Sequence, residues 1–285
     1  MTTVLEPACA KLNLTLDVLG KREDGYHDLK SVMQTVEYCD EIRMEIGTGE
    51  PWRITCTDPE IPTDCRNLVW KAARAFYDTT GITDEGLNIH ITKRIPSQAG
   101  MGGGSSDAAA VLRGLNRHYG NPLTPMALAD VGAKVGSDVP FCVVGGTVMC
   151  EGRGELLRPI TPMPDCVILV CKPEFSMSTP VLYRQLDDAG IDIHPDNDAM
   201  EHALAQRDLP QIGKLLCNVF DPVVSASFPL MDQLRQMYMD AGALGCQMSG
   251  SGSAFFGIIP DLKSADKLAN ELQMLCEEVF ITRPV

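Results

Sequence analysis

A glycine-rich segment near residue 100 has the composition of an anion-binding loop. It reads Pro96-Ser97-Gln98-Ala99-Gly100-Met101-Gly102-Gly103-Gly104-Ser105-Ser106. Glycine lets the backbone approach a ligand closely, and a helix predicted for residues 107–118 would add unpaired N–H groups that favour an anion. The segment is not a Walker loop, since no Gly-Lys-Ser/Thr follows, and the third glycine of a dinucleotide fingerprint would fall on Ser105. The sequence predicts a phosphate-binding loop, with a flexible surface loop as the alternative.

A second cluster of small residues lies near the C-terminus and precedes an apolar strand. It reads Gln247-Met248-Ser249-Gly250-Ser251-Gly252-Ser253. Taken alone, such a cluster is typical of a turn. Two clusters in separate halves of the chain, each able to present amides and hydroxyls, together favour ligand binding.

Several polar residues stand where they could contact a substrate. Lys11 and Asn13 are two residues apart on a predicted strand and therefore point the same way, although a solvated strand face is the simpler explanation of this pair alone. In a polar loop, Tyr26 could stack on the ring of a ligand while His27 hydrogen-bonds to the edge of that ring, or both could be ordinary loop residues. Asp138 stands between a helix end and an apolar run, where a carboxylate is either a cap or a base.

Composition excludes some classes of partner. The chain has 285 residues, of which 38 are acidic and 24 basic, giving a net charge of −14. Nucleic acids and anionic membranes require clustered Lys and Arg, and the sequence contains no basic run. Phosphate ligands stay possible, because backbone amides and a few cations can hold them locally. The length is that of one large or two modest domains.

The cysteines and the apolar segments favour a cytoplasmic protein. There are 11 cysteines with no C-x-x-C pair, a pattern that argues against a disulfide framework or a zinc site and predicts reduced thiols. The longest uncharged apolar stretch, residues 139–150, is too short to span a bilayer. The N-terminus lacks the pattern of a signal peptide.

Hydrophobic periodicity predicts strands and helices that interleave in both halves. Strands are expected at residues 11–18, 86–92, 167–170, 254–259 and 279–282, and helices at 107–118, 124–136 and 262–275. A proline-rich stretch at residues 159–164 is typical of a linker. It predicts two domains, residues 1–158 and residues 159–285.

These segments, in this order, resemble the GHMP kinase superfamily over nearly the whole chain. The first motif is Pro7-Ala8-Cys9-Ala10-Lys11-Leu12-Asn13, the second is the loop from Gly100 to Ser106, and the third is the cluster from Gln247 to Ser253. The segments Arg22-Glu23-Asp24-Gly25-Tyr26-His27 and Gly136-Ser137-Asp138-Val139-Pro140-Phe141 are similar to those of members acting on a cytidine-diphosphate-linked sugar alcohol in isoprenoid precursor biosynthesis. The resemblance implies an α+β, two-domain fold, with an N-terminal mixed βα ATP-binding domain and a smaller C-terminal sheet-and-helix domain.

The resemblance also implies a phosphoryl transfer. ATP would lie along residues Pro96 to Ser106 as a co-substrate, accompanied by Mg²⁺, with no tightly bound cofactor and no metal ligands that the sequence identifies. Asp138 would accept the proton of the 2-hydroxyl of the sugar alcohol, and Lys11 would orient that hydroxyl and offset negative charge. The first strand and Asp138 would meet across one cleft between two domains.

The same resemblance assigns substrate contacts. Asn13 would hydrogen-bond the sugar or its phosphates, and Thr179 would lie near the sugar alcohol. Tyr26 and Tyr183 would sandwich the cytosine, with Phe175 as the competitor for the second position, and His27 would hydrogen-bond the base. The third glycine motif comprises Ser249, Gly250, Ser251 and Gly252. A monomer or weak homodimer is expected.

Two rival functions differ in the residues they require. A kinase of the superfamily acting on homoserine, mevalonate or a sugar would have no base to stack on Tyr26, His27 and Tyr183. A non-catalytic nucleotide sensor would be expected to lack Lys11 or Asp138, and both are present. The sequence therefore favours the cytidine-linked acceptor.

Overall fold

The computed structural model describes residues 1–23, 25–175 and 178–285, so that Asp24 of the polar loop lies outside the described residues. The chain forms two compact units. Unit 1 comprises Met1–Lys11, Tyr38–Ser97 and Gly102–Gly145, and unit 2 comprises Leu12–Glu37, Gln98–Met101 and Gly146–Val285. These units interleave along the chain, whereas the boundary predicted at residues 158/159 cuts it once; that boundary stays a prediction.

Three N-terminal strands begin the fold. They are β1 (Thr2–Asn13), β2 (Thr15–Lys21) and β3 (His27–Ile46). The predicted strand at residues 11–18 is thus divided, because β1 ends at Asn13 and β2 begins at Thr15. Its polar face is not solvated either: Lys11, Asn13, Thr15 and Asp17 are all buried, and a buried polar group requires a partner.

Unit 1 combines sheet and helices. Its further elements are β4 (Arg53–Cys56), α1 (Leu68–Thr80), β5 (Leu87–Thr92), α2 (Gly103–His118), α3 (Pro125–Ala133) and α4 (Val139–Val144). The second half of β3 pairs antiparallel with β5, from Glu41 opposite Thr92 to Ile46 opposite Leu87, and β5 pairs parallel with β4. Alternate residues of both strands, such as Ile42 and Ile89, are buried, as the period of two predicts.

Local signals explain where the helices of unit 1 begin. Asn67 caps α1 by accepting a hydrogen bond from the Val69 amide, and Thr124 caps α3 in the same way through the Ala127 amide. Helix α2 starts at Gly103, inside the glycine run rather than at Asp107 as expected. The Ser106 amide donates to the Gly102 carbonyl at 2.8 Å, so that the last glycines and both serines form the first helical turn.

Unit 2 contains the remaining elements. They are β6 (Thr147–Gly152), β7 (Leu156–Pro159), β8 (Val167–Lys172), α5 (Thr179–Ala189), α6 (Asn197–Gln206), α7 (Leu209–Lys214), β9 (Cys217–Asn218), α8 (Asp221–Ser227), α9 (Leu230–Asp240), β10 (Gly245–Met248), β11 (Phe255–Ile259), α10 (Leu262–Leu272) and β12 (Glu278–Thr282). The first half of β3 pairs antiparallel with β2 and β6, and β2 pairs parallel with β9. Strands β10, β11, β8 and β12 form, in that order, an antiparallel sheet.

The core of unit 2 lies against this antiparallel sheet. Leu169 and Phe255 of the sheet, Tyr238 of α9 and Leu268 of α10 belong to one buried cluster. The apolar run at residues 167–170 is buried on both faces, as its continuous pattern predicts. The strands predicted near residues 254–259 and 279–282 and the helix near 262–275 are confirmed.

One pair of cysteines departs from the expectation of reduced thiols. Cys9 on β1 and Cys39 on β3 are joined by a disulfide, with their Cα atoms 3.9 Å apart. The pairing of β1 with β3 brings the two residues together, and no spacing in the sequence indicates it. The other cysteines of the described chain are free.

Within the same described ranges, no helix is long and apolar enough to cross a membrane.

Candidate active site

Lys11, Asp138 and Gly102 meet in unit 1. The Lys11 Nζ lies 3.6 Å from Asp138 Oδ2, and the side chains are 5% and 32% exposed, respectively. Gly102 precedes α2 with φ of 70°, and a Cβ there would stand 3.0 Å from Lys11 Cγ and 3.8 Å from Asp138 Oδ2. The two residues predicted for catalysis are therefore brought together at the beginning of α2.

Helix α2 is suited to an anion at its N-terminus. The helix has 16 residues and no acidic residue in its first turn, so its dipole and its first free N–H groups attract negative charge. The Ser106 hydroxyl donates to the Cys9 carbonyl at 2.7 Å and is buried. The Ala99 and Met101 side chains are buried as well. Backbone amides, rather than these side chains, are the groups that this part of the loop offers to phosphate.

A charged cluster that the sequence analysis missed supports the start of α2. Lys93 Nζ contacts Asp40 Oδ2 and lies 3.1 Å from Asp107 Oδ2. Asp40 Oδ1 also accepts hydrogen bonds from the amides of Arg94 and Ile95. A Cβ on Gly103 would stand 3.2 Å from Lys93 Nζ, so the cluster lies directly behind the first residue of α2. Its three charged residues come from separate segments, and no local motif indicates the cluster.

Asp107→Asn is expected to remove a pH dependence of stability. Burial raises the pKa of Asp107 from 3.8 to about 8; the Lys93 ammonium opposes this rise, and the Asp40 carboxylate adds to it. Between pH 3.8 and about pH 8 the folded protein holds a proton that the unfolded chain has released. The free energy of unfolding therefore falls as pH rises, by at most about 1.4 kcal/mol per pH unit. Urea denaturation at a series of pH values measures this slope.

The control for this experiment is Asp266→Asn, which removes an exposed carboxylate from α10 in unit 2. Subtracting the profile of each variant from that of the unmodified protein isolates the contribution of one carboxyl group. A profile of Asp107→Asn parallel to that of the unmodified protein contradicts the prediction.

The third glycine motif holds the tip of the glycine loop within unit 2. Ser249 Oγ donates to the Gly100 carbonyl at 3.1 Å, and the Ala254 amide donates to the Ala99 carbonyl at 3.1 Å. The Gly252 amide donates to the Ser249 carbonyl at 2.9 Å and closes the turn. The two small-residue clusters, which the sequence placed in separate halves of the chain, are therefore in direct contact here.

Asn13 and Thr179 are tied to polar neighbours in the same unit. Asn13 Nδ2 donates to Ser31 Oγ at 2.8 Å, and the Asn13 amide donates to Ser249 Oγ at 3.4 Å. Thr179, the first residue of α5, shares a hydrogen bond of 2.9 Å with Ser251. Both predicted substrate contacts thus lie beside the third glycine motif.

An aromatic pair lies at the predicted base-binding residues. The rings of His27 and Tyr183 are stacked with centroids 4.6 Å apart and planes inclined by 22°. His27 Nε2 lies 2.9 Å from Asp187 Oδ1, and this hydrogen bond is the main reason why the pKa of Asp187 is below its usual range. Tyr183 also packs edge-on against Phe220, and this contact fixes the orientation of its ring.

The two remaining aromatic candidates differ in accessibility. Tyr26 is 56% exposed, and the Arg153 guanidinium lies 5.3 Å from its ring centroid. Phe175 instead stacks on Phe228 with centroids 3.9 Å apart and packs against the core of unit 2. This packing favours Tyr183 over Phe175 as the second stacking residue.

The described part of the chain shows no side-chain cluster of the kind that holds a metal ion. In residues 1–23, 25–175 and 178–285, no group of three or more His, Cys, Asp or Glu is arranged to hold a metal ion. The arrangement around Gly102 can instead place an anion at a helix N-terminus, with an ammonium and a carboxylate beside it.

Comparison with known proteins agrees with these features. A family model described as the GHMP kinases N terminal domain matches residues 67–146, and one described as GHMP kinases C terminal matches residues 200–277. The chain is 42% identical over 275 residues to 4-diphosphocytidyl-2-C-methyl-D-erythritol kinase of Caldicellulosiruptor saccharolyticus, covering 96% of this chain and 94% of that protein.

Solved structures show the same similarity. The crystal structure of a 4-(cytidine 5'-diphospho)-2C-methyl-D-erythritol kinase superimposes with a TM-score of 0.82 and 30% identity, covering 98% of both chains. Homoserine kinase from Cytophaga hutchinsonii superimposes with a TM-score of 0.78 over 99% of this chain and 95% of that one, but at 19% identity it shares only the fold.

Proposed function

Because the chain belongs to the GHMP kinase family, we propose that it transfers the γ-phosphoryl group of ATP to the 2-hydroxyl of 4-diphosphocytidyl-2-C-methyl-D-erythritol. The product is the 2-phosphate of that compound, an intermediate of isoprenoid precursor biosynthesis. The observation that carries the proposal is the meeting of Lys11, Asp138 and Gly102 at the N-terminus of α2. The relatives described above, which carry this activity in their names, support the choice of acceptor.

Asp138 is the general base of the proposed reaction. Its carboxylate takes the proton of the 2-hydroxyl, the hydroxyl oxygen forms a bond to the γ-phosphorus, and the bond from that phosphorus to the bridging oxygen breaks as ADP leaves. The Lys11 ammonium, 3.6 Å from Asp138, orients the hydroxyl and offsets the negative charge that develops on the phosphoryl oxygens.

ATP is the co-substrate, and its phosphates lie along the glycine loop from Pro96 to Ser106. The N–H groups and dipole of α2 attract them, which explains how a chain with a net charge of −14 binds a polyanion. Mg²⁺ bound to the nucleotide would neutralise part of the phosphate charge. No tightly bound cofactor takes part.

The cytidine end of the acceptor binds to the aromatic residues of unit 2. Tyr26 and Tyr183 stack on the cytosine, and His27, whose ring lies on that of Tyr183 in this structure, turns aside to hydrogen-bond the base. Asn13 and Thr179, both tied to the third glycine motif, contact the phosphates and the sugar alcohol. An aromatic stack on a base contributes on the order of 1–3 kcal/mol.

Phosphorus NMR of the protein with ATP, Mg²⁺ and 4-diphosphocytidyl-2-C-methyl-D-erythritol tests the proposal directly. We expect ADP and a new phosphomonoester to appear together. If ATP is consumed with homoserine or mevalonate but not with this acceptor, the chain is a GHMP kinase of different specificity. If no acceptor reacts while ATP binds, the catalytic proposal is wrong and a nucleotide sensor is the better explanation.

Tyr26→Ala is expected to raise KM for the cytidine substrate by about tenfold, because one stacking face is lost. KM for ATP should stay unchanged. Steady-state kinetics with each substrate varied separately measures both values. Tyr26→Phe is the matched control, since it keeps the ring and removes only the hydroxyl; an unchanged KM in Tyr26→Ala rejects the stacking role.

We also propose a location, a class of partner and an oligomeric state for the protein. Apart from the Cys9–Cys39 pair, its thiols are free, and free thiols together with the use of ATP favour a cytoplasmic enzyme. The acidic net charge argues against nucleic acid as a partner. We propose a monomer or weak homodimer, which sedimentation velocity at two protein concentrations distinguishes.

A further inference from the structure

Unit 2 contains a cavity that the proposed function does not use. Its volume is about 970 Å³, near the upper end of the range for small-molecule sites. The end of α5 with the loop after it, β9 with α8, and parts of α9 and β10 line it. None of the residues assigned above to the transfer or to the cytidine is among the described residues of this lining.

Three acceptor oxygens of the cavity lining are buried without a donor. They are Asp221 Oδ1, Gln247 Oε1 and Gln185 Oε1, which have no hydrogen-bond partner within the described part of the chain. Asp221 is 7% exposed and Gln247 is 1% exposed, so bulk water does not readily solvate them. Buried acceptors of this kind are uncommon in folded proteins, and three of those in the described chain belong to residues of this one lining. A ligand that donates hydrogen bonds would satisfy them.

The remaining polar atoms of two of these residues are already engaged, which fixes their orientation. Gln247 Nε2 donates to the carbonyls of Asn13 and Leu14, at 2.7 and 3.0 Å. Rotating the amide would place its oxygen against these two carbonyl oxygens, so Oε1 is the atom of Gln247 that is left without a partner. Asp221 Oδ2 accepts a hydrogen bond from the Met248 amide and lies 3.0 Å from Arg235 Nη2. Oδ1 is therefore the carboxylate oxygen that is left without a partner.

The charge of the cavity lining indicates which kind of hydrogen-bond donor would bind there. The carboxylates are Asp188, Asp192, Asp221 and Asp232, and the only cationic residue among the described lining residues is Arg235, which is paired with Asp221. The cavity therefore attracts a cation and repels an anion. The rest of the lining is largely apolar, with Ile191, Ile193, Leu216, Val219, Pro222 and Val223.

We propose that this cavity binds an organic ammonium with an apolar body, such as an arylalkyl primary amine. The ammonium donates hydrogen bonds to Asp221 Oδ1 and the Gln247 amide oxygen, and the apolar body lies against the aliphatic side chains. An ammonium has three donors and no acceptor, which matches a set of free atoms that consists of acceptors alone. This site is separate from the proposed kinase chemistry.

The test compares three probes of similar shape and different charge. Phenethylamine, 2-phenylethanol and 3-phenylpropionate are titrated into the full chain labelled with ¹³C at isoleucine methyls, without ATP or acceptor, so the result is independent of kinase activity. We expect phenethylamine to shift the Ile191 and Ile193 methyl signals and to bind at least about tenfold more tightly than the alcohol, because hydrogen bonds from a charged donor are the stronger ones. The anion should not bind.

Two variants identify the groups responsible. Asp221→Asn can keep its amide oxygen on Met248 and Arg235 and turn an NH₂ group toward the cavity, so it should weaken amine binding by about tenfold or more. Ala226→Trp, at an exposed lining position of α8, should block the cavity without touching the carboxylate. Asp266→Asn, on the exposed surface of α10, removes one negative charge elsewhere and should bind the amine normally.

Several results would overturn the proposal. These are equal binding of the amine and the alcohol, unchanged amine binding by both Asp221→Asn and Ala226→Trp, or no shift of the Ile191 and Ile193 signals at roughly 10 mM amine, where even a millimolar complex is mostly formed. If Asp221→Asn does not fold, Ala226→Trp decides alone, since its side chain is added at the surface.

Discussion

Asp138→Asn is expected to lower kcat by about 10²–10⁴-fold, the usual loss when a general base is removed. Asn has nearly the same shape as Asp but cannot take up the proton of the acceptor hydroxyl. In the described structure the Asp138 side chain does not cap α4, so the substitution leaves no helix amide without its acceptor. ATP binding should therefore be retained, and this separates a lost base from a disrupted fold.

Single-turnover kinetics and nucleotide titration measure the two quantities separately. Asp130→Asn is the matched control, because Asp130 is an exposed carboxylate on α3 of the same unit. It should leave both quantities unchanged. If Asp138→Asn retains more than about a tenth of the original kcat, a value well above the range for a lost general base, Asp138 is not the base.

Gly100→Ala is expected to disrupt the tip of the glycine loop and to lower kcat/KM for ATP by about 10²-fold, the effect of displacing a reacting group by roughly 1 Å. Gly100 has φ of 74°, and a Cβ there would lie 2.0 Å from the Ser249 carbonyl oxygen and 3.0 Å from the Gly252 nitrogen. Both are backbone atoms of the third glycine motif, so no side-chain rotation relieves the clash. The backbone itself has to move.

The same substitution should destabilise the protein by about 1–3 kcal/mol, as insertion of a methyl group into filled space does. Thermal and urea denaturation measure this change. Gly120→Ala is the matched control: Gly120 has φ of 77°, but no described atom lies within 4 Å of the position of its Cβ. It carries the same backbone strain without the clash, and kcat/KM for ATP should not change. Equal kinetics for the two variants would show that contact with the third glycine motif is unimportant.

Features set by neighbours along the chain could be predicted from the sequence. The apolar run of β8, the stripe of α10 and the caps Asn67 and Thr124 act within a few residues, so their structural consequences are local. The resemblance to the GHMP kinases predicted that the first strand and Asp138 meet, and the structure brings Lys11 and Asp138 together, within unit 1 rather than between two domains. The contact between the second and third glycine clusters was not predicted and comes from the structure.

Features that depend on distant segments could not be predicted. The Lys93 cluster joins β3, the end of β5 and α2 through single charged residues, each of which looks like an ordinary surface residue in the sequence. Alternation also predicted a solvated polar face for the strand that carries Lys11, although tertiary partners such as Ser31 and Asp138 bury it. Periodicity reports which side of a strand a residue faces, not what covers that side.

Short-range pattern thus determined most element types and the glycine loop, and the resemblance to the GHMP kinases gave the residues that we propose for phosphoryl transfer. Tertiary structure alone decided that Tyr183 rather than Phe175 faces His27, because Phe228 stacks on Phe175. It also decided that Cys9 meets Cys39, and that Asp221, Gln185 and Gln247 share one cavity. The physical reason is the same in each case. Whether a residue is buried or paired depends on the residues that the fold places beside it, and those residues lie far away in the sequence.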